Sequence, residues 1–196
     1  MEATAEQQNN KRIAKNTLLL YFRMLITMAV GLYTSRVVLQ TLGVEDFGIY
    51  NVVGGVVAMF GVLNMAMSST TQRYITFSLG KGDENELKKV FFNCVLTHFL
   101  IASIFVLLAE MIGLWFLNNK LVIPADRLSA AFWVFQCSVL STFIMIISVP
   151  YNADIVAHEK MSAFAYISIV EVFLKLAIVW ILCISPIDRL CLYAIL

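Results

Sequence analysis

Long apolar runs separated by short polar segments dominate the sequence. Five of these runs are long enough to cross a bilayer as helices, which takes about 20 apolar residues. They occupy residues 17–39, 48–71, 90–117, 128–151 and 163–184. A sixth run begins near Leu190 and reaches the last residue. The pattern predicts an all-α fold, a polytopic transmembrane helical bundle with five full spans and the start of a sixth.

The connections between the runs are short and contain glycine, proline or asparagine, which are typical of turns. They occupy residues 42–46, 79–83, 118–124 and 185–188. Short connections make successive helices antiparallel neighbours. The chain thus divides into a polar cytoplasmic N-terminus, residues 1–15, whose first ten residues we expect to be disordered, and an N-terminal transmembrane lobe, residues 16–196. Because a backbone that ends in hydrocarbon leaves unpaired carbonyls in lipid, we expect this lobe to be truncated in its sixth span and to lack a C-terminal lobe.

The composition agrees with a membrane protein and excludes an ordinary soluble domain. Charged residues make up 14% of the chain, against about 25% in soluble domains, and the mean hydropathy is +0.83. No basic segment interleaved with aromatic residues is present in the sequence, so nucleic acid is not an expected partner. The four cysteines lie in apolar runs without metal-ligand spacing, and we expect neither disulfides nor a metal or other cofactor.

The distribution of lysine and arginine between the connections predicts the orientation. Eight basic residues fall on one side: Lys11, Arg12, Lys15, Arg73, Lys81, Lys88, Lys89 and Lys160. Three fall on the other: Lys120, Arg127 and Arg189. Cytoplasmic connections carry the excess of basic residues, so the N-terminus is predicted to be cytoplasmic. Trp115, Trp133 and Trp180 fall near the outer ends of their runs, where an interfacial aromatic belt would place them.

Polar residues inside the apolar runs are the candidate binding residues, because such groups are unfavourable in hydrocarbon. The substrate-binding candidates are Arg23, Thr27, Asn64, Ser68, Asn93 and Thr97. We expect several helices to contribute polar faces at similar depth to one water-filled cavity that opens to the inside. With Arg23 as its cation, this cavity suits a substrate with an anionic head such as a phosphate. The alternative is that these polar side chains satisfy one another within the bundle.

Three ionisable residues inside the runs are candidates for coupling. Glu171 and Lys175 are spaced i, i+4 with the glutamate first, the favourable order for a helical ion pair. The pair either neutralises itself to lower the cost of burial or serves as a charge relay. His98 is either a hydrogen-bonded core residue or a proton carrier.

Two segments resemble the bacterial polysaccharide flippases, of the O-antigen type, in the multidrug/oligosaccharidyl-lipid/polysaccharide exporter superfamily. The first segment, residues 33–50, matches the family pattern of an arginine, Leu-Gly, an acidic residue, an aromatic residue, glycine and tyrosine. The matching residues are Arg36, Leu42, Gly43, Asp46, Phe47, Gly48 and Tyr50. The second segment, residues 149–160, has Pro150 at the end of the fourth predicted span, followed by alanine and Glu-Lys. The resemblance covers the chain from about Lys11 onward.

The resemblance implies a fold of two six-helix lobes around a central cavity with alternating access. It implies that lipid-linked (undecaprenyl diphosphate) oligosaccharide or polysaccharide units are moved from the inner to the outer leaflet of the bacterial cytoplasmic membrane. This transport serves the biosynthesis of cell-envelope polysaccharide such as lipopolysaccharide, and no covalent change is made, so an enzyme is not expected. The implied partners are the lipid-linked oligosaccharide, membrane lipids and the missing C-terminal lobe. Arg23 is the best match to the family's cavity-lining arginines.

Three other functions stay open at this point. A cation-coupled multidrug exporter of the same superfamily would favour an acidic cavity, whereas the predicted cluster has no carboxylate. An enzyme of envelope assembly would need a catalytic constellation in a sizeable outer connection, and the outer connections are short and lack histidine. The third alternative is an inactive fragment, because members of the family usually carry twelve or more spans.

Overall fold

The computed structural model describes residues 2–58, 61–185 and 188–195. All regular structure in these ranges is helical, which confirms the predicted all-α class. The helices are α1 (Glu2–Ala58), α2 (Gly61–Lys81), α3 (Glu84–Leu108), a π-helical turn (Ala109–Gly113), α4 (Leu114–Asn119), α5 (Leu128–Ala157), α6 (Met161–Ile184) and α7 (Arg189–Ile195).

Four helical segments are long and apolar enough to cross a membrane, which indicates a membrane protein. They are Thr17–Gly55, Glu84–Asn119, Leu128–Ala157 and Ala165–Ile184. The predicted second span, 48–71, includes residues 59 and 60, which lie outside the described residues. The predicted sixth span is described only as α7, which ends at Ile195. The count of five spans plus part of a sixth therefore stays a prediction.

Helix α1 is broken at Gly43, where the backbone has φ 83° and ψ 170°. A positive φ is disfavoured for residues with a Cβ atom, so glycine allows one helix to end and the next to begin without a loop. The five-residue turn predicted at 42–46 is reduced to this one position. The two parts of α1 contain the first predicted span and the beginning of the second.

The polar N-terminus is helical from Glu2, whereas we expected disorder through residue 10. Its sequence is rich in glutamate, alanine, glutamine and lysine, which are good helix formers. Extending an existing helix avoids the cost of nucleation. The first apolar run therefore extends its helical conformation into the polar segment.

Helix α5 lies at the centre of the bundle and packs against α1, α2, α3 and α7. Its buried side chains include Val134, Phe135, Val139 and Ile146. These four residues are most of what α5 contributes to the main apolar core. Pro150 is also buried, inside α5 and not at its end, because the helix continues to Ala157. Proline has no N–H to donate to the carbonyl four residues earlier, so α5 continues past Pro150 with one hydrogen bond fewer.

A π-helical turn interrupts the third apolar run between α3 and α4. This turn brings Gly113 against the ring of Phe135 on α5, so closely that a Cβ atom at position 113 would lie 2.5 Å from the ring. The same turn places Glu110 next to Gln136, whose Nε2 donates a hydrogen bond to Glu110 Oε2 at 3.2 Å. The π turn therefore fixes the packing of α3 on α5 through one steric and one polar contact.

Replacing Gly113 with alanine is expected to destabilise the bundle, because the added methyl group overlaps Phe135. Overpacking of this kind costs about 1–3 kcal/mol. Thermal unfolding of the purified protein in detergent measures the effect. A second change, Phe135→Leu, makes room for the methyl group, so the double variant should recover part of the loss. If Gly113→Ala unfolds like the parent protein, the close packing at the π turn is wrong.

Candidate functional site

A line of polar side chains runs along one face of α5. At 100° per residue its members lie within about 120° of one another around the helix and therefore share a face. They are Ser138, Ser141, Thr142, Ser148 and Asn152. We call these residues the α5 polar face. From Ser138 to Asn152 it extends about 21 Å along the helix, which is most of the thickness of a bilayer's hydrocarbon core.

Two grooves open on the α5 polar face and join into one surface. The first has a volume of about 520 Å³ and lies between α1, α5 and α7, where Tyr50, Asn51 and Tyr193 contribute to it. The second has a volume of about 600 Å³ and lies between α2 and α5. Met145 lines both grooves. Of the described residues that line them, none is an aspartate, glutamate, lysine, arginine or histidine.

Helix α2 supplies the polar side of the second groove. Its residues there are Asn64, Ser68, Ser69 and Gln72, and they face Ser148 and Asn152 across the groove. The carbonyl oxygen Oδ1 of Asn64 is buried and accepts no hydrogen bond within the part of the chain that is described. A buried acceptor without a donor is unfavourable, so this side of the groove is incompletely hydrogen-bonded within the described residues.

The hydroxyl groups of the α5 polar face retain capacity for a ligand. Ser138 and Ser148 donate to the carbonyl oxygens of Val134 and Met145, each at 2.7 Å. Their hydroxyl oxygens can still accept, because a hydroxyl has two lone pairs besides its donor. The surface thus combines neutral donors and acceptors and suits an uncharged, polyhydroxylated molecule better than an ion.

The six predicted binding residues do not line one cavity. Arg23 and Thr27 lie between α1 and α6, beside Ser168 at a small cavity of about 40 Å³. Asn64 and Ser68 lie in the groove between α2 and α5. Asn93 and Thr97 lie in a third groove, of about 520 Å³, between α2 and α3. The prediction assumed that the polar faces of these helices converge, whereas each pair faces a different neighbouring helix.

His98 is buried between α2 and α3. Its Nδ1 atom lies 2.7 Å from the carbonyl oxygen of Cys94, and its Nε2 atom lies 3.5 Å from Oγ1 of Thr71. A carbonyl oxygen only accepts, so Nδ1 carries the hydrogen. These contacts agree with a hydrogen-bonded core residue. A role as proton carrier stays a prediction.

Glu171 and Lys175 form the predicted ion pair, with 2.7 Å between Glu171 Oε1 and Lys175 Nζ. About half of each side chain is exposed, 52% and 47% respectively, so the pair is not buried within this chain as we expected. At 100° per residue, Val172 and Val179, through which α6 packs on α1, lie within about 100° of both members of the pair. The pair therefore lies beside the packed face of α6 and stays half exposed at its edge.

The first family-like segment surrounds the break in α1. Gly43 forms the break itself, and Gly48 and Arg36 are exposed on either side of it. The ring of Tyr50 packs against that of Tyr193 on α7, with centroids 4.7 Å apart. Most of this segment therefore shapes the packing of α1, and only Tyr50 reaches the first groove.

Asp46 is the buried acid of the same segment and belongs to a cluster of charges at one end of the bundle. Its Oδ1 atom lies 3.3 Å from Nε of Arg127, and Nη1 of Arg127 lies 3.2 Å from Oδ2 of Asp188. We call these three residues the terminal ion cluster. It joins the break in α1, the beginning of α5 and the residue that precedes α7.

The α5 polar face is the feature that the sequence analysis missed. Its signal was present, because hydroxyl and amide side chains recur at helical spacing within the run 128–151. Serine and threonine are tolerated in membrane helices when they bond to the preceding turn, so their presence in an apolar run does not by itself indicate a site. The tertiary structure distinguishes it by placing polar residues of α1 and α2 opposite the same face.

Comparisons with known protein families, with curated proteins and with solved structures found no match to this chain.

Two native cysteines report on the water content of these grooves. Cys137 lines the first groove on α5, and Cys94 lines the groove between α2 and α3. Thiol reagents react with the thiolate, which forms where water and polar groups reach the sulfur. In single-cysteine variants in native membranes, Cys137 should react at least roughly tenfold faster with a charged methanethiosulfonate than Cys94. Equal rates would show that the α5 polar face is not hydrated; a membrane-permeant maleimide controls for intact thiols.

Proposed function

We propose that this chain takes part in moving lipid-linked oligosaccharide or polysaccharide repeat units across the bacterial cytoplasmic membrane, as the resemblance of residues 33–50 and 149–160 to the polysaccharide flippases implies. The chemistry is translocation from the inner to the outer leaflet without a covalent change. The products serve the assembly of cell-envelope polysaccharide.

The observation that carries this proposal is the uncharged polar surface along α5. A sugar crossing the membrane needs a path of hydroxyl and amide groups that replace its water, because each unpaired polar group in hydrocarbon costs several kcal/mol. The α5 polar face and the facing residues of α1 and α2 supply such groups over about 21 Å. The related drug exporter would favour an acidic cavity for a cationic drug, and the described lining residues include no carboxylate.

The proposed orientation has the N-terminus in the cytoplasm, in line with the distribution of basic residues. In this orientation the terminal ion cluster is at the outer surface. The tryptophans give support, because Trp115, Trp133 and Trp180 are exposed and lie near the ends of α4, α5 and α6 that approach this cluster. Exposed tryptophan at one level is typical of a membrane interface.

A second lobe is part of the proposal. The α5 polar face is open on one side, and Glu171 and Lys175 are exposed near the middle of the candidate span Ala165–Ile184. Charged residues in a span normally face protein or water. Alternating access also requires two units that move about a site between them. We therefore expect a further lobe to cover these faces, and we do not expect residues 1–196 alone to transport.

The experiment is a disruption of the gene in its host. Surface polysaccharide should be lost, and lipid-linked repeat units should accumulate at the inner leaflet, where a membrane-impermeant lectin or periplasmic glycosidase cannot reach them. Re-expression of the gene should restore both. Normal surface polysaccharide, or accumulation of repeat units in the outer leaflet, would refute the proposed function.

A further inference from the structure

The groove between α2 and α3 differs in chemistry from the α5 polar face. It has a volume of about 520 Å³, and its walls alternate apolar residues such as Met67, Val90 and Ile101 with the polar residues Asn93 and Thr97. On α2 these walls occupy the side of the helix away from the groove on α5, because Asn64 and Ser68 face α5 whereas Thr70 and Tyr74 face α3. The groove between α2 and α3 therefore opens on the outside of the bundle.

The surroundings of this groove are those of a surface in contact with lipid. Large apolar side chains flank it and are exposed: Phe77, Phe92, Leu96 and Leu100. Within the groove, the Thr97 hydroxyl donates to the Asn93 carbonyl oxygen at 2.8 Å and the Thr70 hydroxyl to that of Ala66 at 2.9 Å. These hydroxyls keep only acceptor capacity, and Met67, Val90 and Ile101 give the deeper part of the groove apolar walls that suit a hydrocarbon chain.

A cation stands at one rim of the groove. Arg73 lines a depression of about 430 Å³ together with Thr70, Tyr74 and Phe77. Thr70 and Tyr74 also line the larger groove, so the two spaces are continuous. Arg73 is exposed and has no ion-pair partner among the residues that the structure describes. It is therefore available to an anion outside the protein.

Arg73 and Asn93 lie at the same level on the two helices. Each is ten residues from Asp83, which caps α3 at the hairpin turn, so each lies about 15 Å from the turn along its helix. Lys88 and Lys89 are exposed nearer the turn. The acids there are Asp83, which caps α3, Glu86, which pairs with Lys81 at 2.7 Å, and the exposed Glu84. Positive charge thus lies at the open end of an apolar groove.

We infer that the α2–α3 groove binds one anionic glycerophospholipid of the bilayer. Arg73 pairs with the phosphate, since a guanidinium binds phosphate oxygens in a bidentate manner. The Asn93 amide, which makes no side-chain hydrogen bond within the described residues, donates to an ester carbonyl at the same level. An acyl chain fills the groove toward Ile101. A prenyl diphosphate lacks this ester carbonyl, which is why the occupant is assigned to the bilayer lipids. This inference does not depend on the proposed function.

The test uses the full chain in nanodiscs of phosphatidylcholine that contain a trace of phosphatidylglycerol with a photoreactive group in its acyl chain. Crosslinks should map to residues 66–74 and 90–101. Unlabelled phosphatidylglycerol should compete about fivefold better than phosphatidylcholine, which corresponds to about 1 kcal/mol for one basic residue at the membrane surface. Crosslinks spread evenly around the bundle, or equal competition by both lipids, would overturn the inference.

Variants separate the head group from the acyl chain. Arg73→Gln should abolish the preference for phosphatidylglycerol, and Arg73→Lys should keep most of it. Thr97→Trp should fill the groove and remove crosslinks there while leaving the helical content unchanged. Arg36→Gln is the matched control, because Arg36 is also exposed but lies on α1. If a prenyl diphosphate displaces the probe better than phosphatidylglycerol, the assignment to a bilayer lipid is wrong.

Discussion

Export of surface polysaccharide should fall sharply when the hydroxyls of the α5 polar face are replaced by leucine. Ser141→Leu removes a hydroxyl from the first groove, and Ser148→Leu removes one from the second. Each lost hydrogen bond to the passing sugar is worth about 0.5–1.5 kcal/mol. The double variant should therefore lose roughly tenfold or more in rate. The measurement is the amount of surface polysaccharide in a strain whose own copy is deleted, at equal levels of the variant protein.

The matched control is Ser103→Leu. Ser103 lies on α3, and its hydroxyl donates to the Phe99 carbonyl at 2.8 Å, in the same kind of intrahelical bond as that of Ser148. It lines neither groove of the α5 polar face. The control should export normally. Normal export in the Ser141→Leu, Ser148→Leu variant would remove the α5 polar face from the mechanism. Arg23→Ala is a second comparison. The sequence predicts that Arg23 lines the cavity, whereas the residue lies at the α1–α6 interface, outside both grooves of the α5 polar face. Normal export in this variant would exclude the cavity role.

Replacing Arg127 with methionine should be the most destabilising single change among those considered. It leaves Asp46, whose side chain is 10% exposed, without its ion-pair partner. Breaking a buried ion pair from one side costs about 3–5 kcal/mol. Because 34% of the Arg127 side chain is exposed, we expect about 2–3 kcal/mol, near the cost of an unsatisfied buried group. The midpoint of thermal unfolding in detergent should fall by roughly 5–10 °C.

A double variant distinguishes pairing from simple loss of packing. Asp46→Asn combined with Arg127→Met removes both charges, so stability should recover in part, as expected for coupled residues. Arg36→Met serves as a control for the loss of an arginine, because Arg36 is exposed. If the double variant is less stable than Arg127→Met alone, the terminal ion cluster does not depend on pairing.

Local features of the chain could be predicted from the sequence. The turn predicted at 79–83 is present, with Gly82 at a φ of 74° and the Asp83 carboxylate accepting hydrogen bonds from the backbone of Asn85 and Glu86. The predicted start of a last helix near Leu190 agrees with α7, which begins at Arg189. These features depend on neighbours within a few residues, so a single sequence contains the information that fixes them.

The partners of each polar face could not be predicted. Asn64, Ser68 and Thr71 share one face of α2 by helical spacing, yet Asn64 and Ser68 face α5, whereas Thr71 faces α3. A small rotation of α2 about its axis would exchange these neighbours. For the same reason, Arg23 was predicted to share a cavity with polar residues of α2 and α3, although it lies between α1 and α6.

The sequence by itself determined that this chain is helical and suited to a membrane. In hydrocarbon every backbone N–H and C=O must be paired within its own segment, so long apolar runs leave the helix as the only local solution. The tertiary structure alone decided which helix faces meet: it places the α5 polar face opposite α1 and α2, and Asp46 beside Arg127 and Asp188. The reason is that rotation and tilt of a membrane helix are set by packing against its neighbours, which its own sequence does not specify.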